Sequence, residues 1–75
     1  MFTFVLDYIQ DGIVMYSYMP EGDKSRVGHV GMEIETGRCI FSELAPNDEF
    51  RSIAFMMAKC IAEFRDNGRF EKSGS

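Results

Sequence analysis

The sequence predicts an α+β fold, a four-stranded antiparallel meander with one C-terminal amphipathic helix packed on one face (ββββα). Three observations predict it. Residues 2–9 and 13–19 are rich in aromatic and β-branched side chains on either side of an Asp-Gly pair. Two further short apolar runs, at 26–34 and 39–44, flank a Thr-Gly turn. The segment from 47 to 67 repeats apolar side chains at helical spacing, and consecutive strands on short turns favour antiparallel neighbours.

The first hairpin centres on Asp11-Gly12, a dipeptide whose two residues both tolerate the positive φ of a two-residue turn. This loop leads us to pair Leu6 with Ser17 across the hairpin. The resulting register gathers on one face Phe2, Phe4, Leu6, Tyr8, Ile13, Met15 and Met19. It gathers on the opposite face Val5, Ile9, Val14, Tyr16 and Tyr18. Both faces of the predicted sheet are therefore apolar.

The second hairpin follows a loop at residues 20–25, where Pro, Gly, Asp and Ser cluster. A third strand then runs from about Arg26 to Ile34, and a fourth runs from Cys39 to about Leu44. Gly37 is the natural left-handed residue of the turn between them. The length of that turn, and hence the register at residues 35–38, stays open at this point.

The helix carries the strongest local signals in the chain. Asn47 or Asp48 is placed to cap its first turn, and Asn67-Gly68 is placed to end it. Its apolar side chains form one stripe: Phe50, Ile53, Ala54, Met57, Ile61 and Phe64. We expect residues 1–70 to form a single domain and residues 71–75, which are polar and small, to be a frayed tail.

One helix covers one face of a sheet, so the other apolar face is left without a cover. We expect the helix to pack on the face that holds Phe4 and Met15, which leaves the opposite face exposed. Phe55 also points away from the predicted stripe. The candidate interaction surface is therefore Val5, Ile9, Val14, Tyr16, Tyr18, Phe55, Ala58 and Ala62. These residues predict a homodimer, or binding of another protein, by a module without catalytic activity.

Two other functions are considered beside this one. Exposed Tyr16 and Tyr18 would offer stacking platforms for single-stranded nucleic acid. The formal net charge of −4 disfavours that function, because phosphate binding depends on Lys and Arg. Asp7 and Tyr16, expected to lie opposite each other, would orient a small ligand. The single histidine, His29, is out of phase with its apolar neighbours and should face solvent, so we expect no catalytic, metal or cofactor site.

Cysteine usage and hydropathy favour a cytoplasmic protein. Cys39 and Cys60 lie in apolar patterns without metal-ligand spacing, and we expect reduced, buried thiols. The N-terminus lacks the basic start of a signal peptide, and the apolar runs are shorter than a membrane span, so no membrane partner is expected.

Residues 27–70 resemble a group of small bacterial proteins without an assigned activity. The shared features are a glycine-containing strand, a Thr-Gly turn, a short strand that leads into a helix start, and an amphipathic helix that ends at Asn-Gly. In this sequence they are Gly28 to Gly31, Thr36-Gly37, Leu44 to Asp48, and Asn67 to Phe70. The resemblance implies the same fold, and it carries over no functional residue.

Overall fold

The computed structural model describes residues 2–46, 48 and 51–75, and it confirms the predicted ββββα architecture. The elements are β1 (Phe2–Gln10), β2 (Ile13–Pro20), β3 (Gly28–Glu33), β4 (Cys39–Glu43), α1 (Ser52–Asn67) and β5 (Ser73–Gly74). All strand pairs are antiparallel, and the order in the sheet is β4-β3-β2-β1-β5. The first four strands form the expected meander, and the fifth strand is an addition to it.

The turns lie where the sequence placed them. Asp11 and Gly12 have φ of 53° and 77°, the two positive values that a type I′ hairpin requires. Gly37 has φ of 79° in the β3–β4 turn, and the Arg65 side chain closes over it. Arg65 donates from Nε to the Ile34 carbonyl at 2.5 Å, so a helix side chain holds this turn in place.

A β-bulge at Asp7 overturns the predicted register of the first hairpin. Tyr8 pairs with Met15 as predicted, but beyond the bulge Leu6 pairs with Tyr16 instead of Ser17. The extra residue shifts the pairing by one. Each residue of β1 before the bulge therefore lies on the opposite face, relative to β2, from the one predicted. Phe2, Phe4 and Leu6 therefore share a face with the tyrosines of β2.

The helix packs on the predicted face at the start of β1, which carries Phe4. On β2 it packs on the face opposite to the predicted one, so it covers Tyr16 and Tyr18 instead of Met15. We name the covered side the helix face, and it presents Phe4, Val14, Tyr16, Tyr18, Val30 and Met32. Against them α1 buries Ala54, Met57, Ala58 and Ile61. The aromatic side chains at the start of β1 and the tyrosines of β2 lie on this one face and form a single core. Most of the apolar residues that we assigned to two faces are therefore on the same face.

Asp48, which precedes the first residue of α1 by four positions, caps the helix with its side chain. Its carboxylate accepts hydrogen bonds from the backbone N–H groups of Ile53 and Ala54, both at 3.0 Å, and from the Tyr18 hydroxyl at 2.8 Å. The same hydroxyl accepts the Ala45 N–H at 3.0 Å. This buried network satisfies two free donors of the helix start and confirms Asp48 as a cap. The alternative cap Asn47 and the stripe residue Phe50 lie outside the described residues.

The expected frayed tail is instead built into the sheet. Gly68, with φ of 75°, ends the helix in the left-handed conformation predicted for it. The chain then turns back, and Ser73 and Gly74 pair with Val5 and Phe4. Gly74 packs so closely on the Phe4 ring that an added Cβ would lie 2.6 Å from it. A polar tail forms a strand here because the edge of β1 supplies its hydrogen-bond partners.

Candidate interaction surface

The structure divides the predicted interaction surface. Val14, Tyr16 and Tyr18 are 0% exposed beneath the helix, and Ala58 is also buried, so these four belong to the core. Ala62 is half-buried. Val5, Ile9 and Phe55 are the members that remain exposed. The bulge at Asp7 accounts for the three β2 residues, because it places them on the same face as Phe4. Ala58 is buried because the side of α1 that faces the sheet is wider than the predicted stripe.

Burial of the two tyrosines removes the geometry assumed for nucleic-acid stacking. Rings that are 0% exposed cannot stack on bases. Two cations expected near these tyrosines also have acidic partners, since Arg26 lies 3.0 Å from Asp23 and Arg38 lies 3.7 Å from Glu33.

The predicted Asp7–Tyr16 ligand site is not formed either. The Tyr16 hydroxyl donates to the Glu71 carbonyl at 2.5 Å on the helix side of the sheet. Burial, and next the Glu71 charge, raise the pKa of Tyr16 to about 12. Asp7 instead contacts Ser17 and His29, on the side of the sheet that the helix does not cover.

The uncovered side of the sheet, the open face, carries a row of polar residues that crosses four strands. Ser17 pairs with His29, His29 pairs with Glu43, and the bulge directs Asp7 toward Ser17. His29 lies on this face, out of phase with the buried Val30, as its position in the strand predicted. The sequence could not indicate this cluster, because only the bulge brings Asp7 to it.

The cluster is compact. The Ser17 hydroxyl lies 2.8 and 2.7 Å from the two carboxylate oxygens of Asp7 and donates to them. His29 Nδ1 lies 3.2 Å from Ser17 Oγ and 3.3 Å from Asp7 Oδ2. In a nucleophilic serine site, the two ring nitrogens have separate partners, the hydroxyl and the carboxylate. Here one nitrogen faces both, so the geometry supports fixing the bulge and orienting the imidazole rather than activating Ser17.

A second exposed surface lies where a side chain of α1 reaches the outer strand β4. Phe41 of β4 and Phe55 of α1 stack edge to face, with ring centroids 5.3 Å apart and an interplanar angle of 75°. Phe55 remains 51% exposed and its neighbour Met56 48% exposed. We define the edge patch as Cys39, Phe41, Leu44, Phe55 and Met56, of which all but the half-buried Phe41 are exposed.

The backbone of β4 adds hydrogen-bonding groups to the edge patch. The Glu33 N–H donates to the Arg38 carbonyl at 2.9 Å, which sets the alternation of the β3–β4 ladder. In the observed register Ile40 then directs its N–H and C=O toward β3. Cys39 and Phe41 direct theirs away from the sheet. Among residues 2–46, 48 and 51–75, none pairs with these outward groups.

The cysteines differ from the prediction in how far they are buried. Both are free thiols, as expected, but Cys39 is exposed because β4 lies at the margin of the helix cover. Cys60 is half-buried, and its burial raises the pKa of its thiol.

The remaining features offer little for chemistry. A surface cavity of about 350 Å³ follows residues 69–73, and that single segment alone lines it, so no polar groups converge there from different elements. Within the described part of the chain, no group of three or more His, Cys, Asp or Glu side chains is placed to hold a metal ion.

Comparisons with known proteins add no relative. No family model, no curated protein and no solved structure matches the chain. Across the residues that the structure describes, no helix combines the length and apolar character needed to cross a membrane.

Proposed function

We propose that this protein is a small interaction module that self-associates as a homodimer, with the edge patch as its contact surface. The observation that supports the proposal is the aromatic pair of Phe41 and Phe55, which leaves half of the Phe55 surface exposed beside the edge strand β4. Burial of apolar surface is worth about 25 cal/mol per Å². A chain of 75 residues has a small core, so stabilisation from a partner matters more to it than to a larger domain.

The other exposed apolar residues form a poorer surface. Val5 and Tyr8 lie on either side of the polar cluster of Asp7 on the open face, so a partner there would have to cover a carboxylate and an imidazole. Ile9 lies near the end of β1, where it pairs with Val14, and it is separate from Val5 and Tyr8. The edge patch instead joins apolar side chains of two elements through the direct contact of Phe41 with Phe55.

A second copy is a natural occupant of such a patch. A two-fold axis lets one self-complementary surface serve both subunits, and this is the commonest closed arrangement of a single chain. The proposal needs no cofactor and assigns no reaction. We further propose a cytoplasmic location, because exposed free thiols such as Cys39 persist in reducing compartments.

The test is light scattering at micromolar concentration on the full chain, Phe55→Ser and Val5→Ser. Both positions are exposed and apolar, so Val5→Ser is a matched control for the loss of surface hydrophobicity. We expect dimer mass for the wild type and Val5→Ser, and monomer mass for Phe55→Ser with its circular dichroism unchanged. A wild-type monomer, or a Phe55→Ser dimer as stable as the parent, would contradict the proposal.

A further inference from the structure

We infer that the second copy adds its β4 to the β4 of the first, antiparallel, with Cys39 opposite Phe41 of the other copy and the two-fold axis at Ile40. The inference rests on the proposed function and specifies how the edge patch would be occupied. Joining the two edges would produce one continuous sheet through both subunits, with a helix on the same side of each half.

The edge of β4 lacks the features that block strand addition. Edge strands of monomers are commonly protected by Lys, Pro or an inward-pointing charge. The five residues of β4 are Cys, Ile, Phe, Ser and Glu, with a single charge at the last position. The bulge between His29 and Val30 distorts only the end of the strand near Glu43. The stretch from Cys39 to Phe41 stays regular and available for pairing.

The outward backbone groups select the register. Each strand directs four such groups away from its own sheet, the N–H and C=O of Cys39 and of Phe41. When Cys39 lies opposite Phe41 of the second copy, each of the two symmetry-related pairs exchanges two hydrogen bonds, and all outward groups are satisfied. Ile40 then faces its own equivalent across the axis. A shift of two residues in either direction leaves part of these groups unpaired.

Side chains and charge agree with this arrangement. Cys39 and Phe41 pair with the buried Met32 and Val30, so their side chains lie on the helix face. The Phe41–Phe55 pairs of both copies would therefore flank the joined strands on one side. Antiparallel pairing also brings the Arg38 end of one strand to the Glu43 end of the other. Arg38 lies 3.7 Å from Glu33 of its own subunit, but its side chain is 74% exposed, so Glu43 of the second copy would add a second acidic neighbour.

Cys39→Pro tests the strand pairing, with Cys39→Ser as its control. Proline removes the outward N–H and is tolerated on an edge strand whose N–H faces solvent, so the fold of the single subunit should persist. Serine removes the thiol and keeps the N–H. We expect Cys39→Pro to raise the dissociation constant at least about tenfold by sedimentation, because both symmetry-related hydrogen bonds are lost. Cys39→Ser should bind like the wild type.

Ile40→Lys decides the question if Cys39→Pro does not fold. It places two ammonium groups opposite each other at the axis, which should weaken the dimer at low salt and less at high salt. Ile13→Lys, also half-buried on the open face, is its control. If Cys39→Pro or Ile40→Lys folds and dimerises like its control, the strand pairing is overturned, while loss of the dimer in Phe55→Ser would still support the proposed function. A monomeric wild type overturns both.

Discussion

The two sides of the β1–β4 meander differ in whether another segment of the chain pairs with the outer strand. At one edge, β5 covers the first half of β1, where the Leu6 N–H donates to the Lys72 carbonyl at 2.7 Å and Phe4 pairs with Gly74. At the other edge, the outward groups of β4 have no partner among the described residues. The covered edge lies beside the aromatic core, and the uncovered edge lies beside exposed Phe55.

Edge protection in this molecule therefore comes from tertiary structure rather than from strand composition. Neither β1 nor β4 contains Lys or Pro. The first is protected because the helix ends near it and returns the chain along it. The second has no such segment, and this is why we propose that a second copy covers it.

Deleting residues 71–75 should have the largest effect, because it opens the covered edge. Tyr16 loses the Glu71 carbonyl, Phe4 loses its pairing with Gly74, and the Leu6 N–H loses the Lys72 carbonyl. We expect the free energy of unfolding to fall by about 2–4 kcal/mol, from several hydrogen bonds at roughly 1 kcal/mol each. With two open edges, the chain should form species larger than a dimer in light scattering.

Deleting Ser75 alone is the control, since it leaves both residues of β5 in place. The covered edge would be unimportant if the longer deletion unfolded in urea at the parent's midpoint and kept the parent's mass.

Each of the two buried tyrosines forms hydrogen bonds near a different edge of the sheet, so removing each hydroxyl tests one edge. Tyr18 joins the segment after β4 to the helix start through Ala45 and Asp48, whereas Tyr16 holds only the Glu71 carbonyl. We expect Tyr18→Phe to cost about 1–3 kcal/mol, because a buried carboxylate loses a donor and a backbone N–H loses its acceptor. Tyr16→Phe should cost about 0.5–1.5 kcal/mol. Urea unfolding measures both, and equal costs would contradict the assigned roles.

Alkaline pH should act on the same two phenols. The pKa of both tyrosines is raised to about 12, and burial is the largest cause in each. The Glu71 charge further raises the pKa of Tyr16. The hydrogen bond from Ala45 lowers the pKa of Tyr18, and Asp48 raises it. A raised folded pKa stabilises the fold fully below the unfolded pKa, near 10, and this contribution is lost as pH rises toward 12. Urea midpoints should fall across that window. The fall should be shallower in the Tyr16→Phe/Tyr18→Phe double variant, and identical slopes would exclude the tyrosines as its cause.

Features set by neighbouring residues were predictable from the sequence. Asp11-Gly12 specifies its turn because few other pairs accept two positive φ values, and Gly68 ends the helix for a similar reason. The helix stripe predicted Met57 and Ile61 as core residues, and both are 0% exposed. These signals are local, so no tertiary information was needed to find them.

Features that depend on distant residues were not predictable. Nothing in the residues around Asp7 marks a bulge, yet it decides which face of β2 meets the helix and brings Asp7 to His29. The strand at Ser73 has no strand-like composition and exists because β1 offers an edge. Phe55 was found as an exception to the helix stripe, but its contact with Phe41 required the fold.

Oxidative cross-linking at Ile40 tests the joined β4 strands most directly. The measurement uses Ile40→Cys in a chain that also carries Cys39→Ser and Cys60→Ser, so that the introduced thiol is the only one. At the two-fold axis, Ile40 and its equivalent form a pair without mutual hydrogen bonds, with Cα atoms about 4.5 Å apart, within the range of a disulfide. Ser42→Cys in the same background is the control, because residue 42 lies opposite Arg38 in this register. We expect a covalent dimer for Ile40→Cys and a monomer for Ser42→Cys on a non-reducing gel. Failure of Ile40→Cys to cross-link above the control would contradict it.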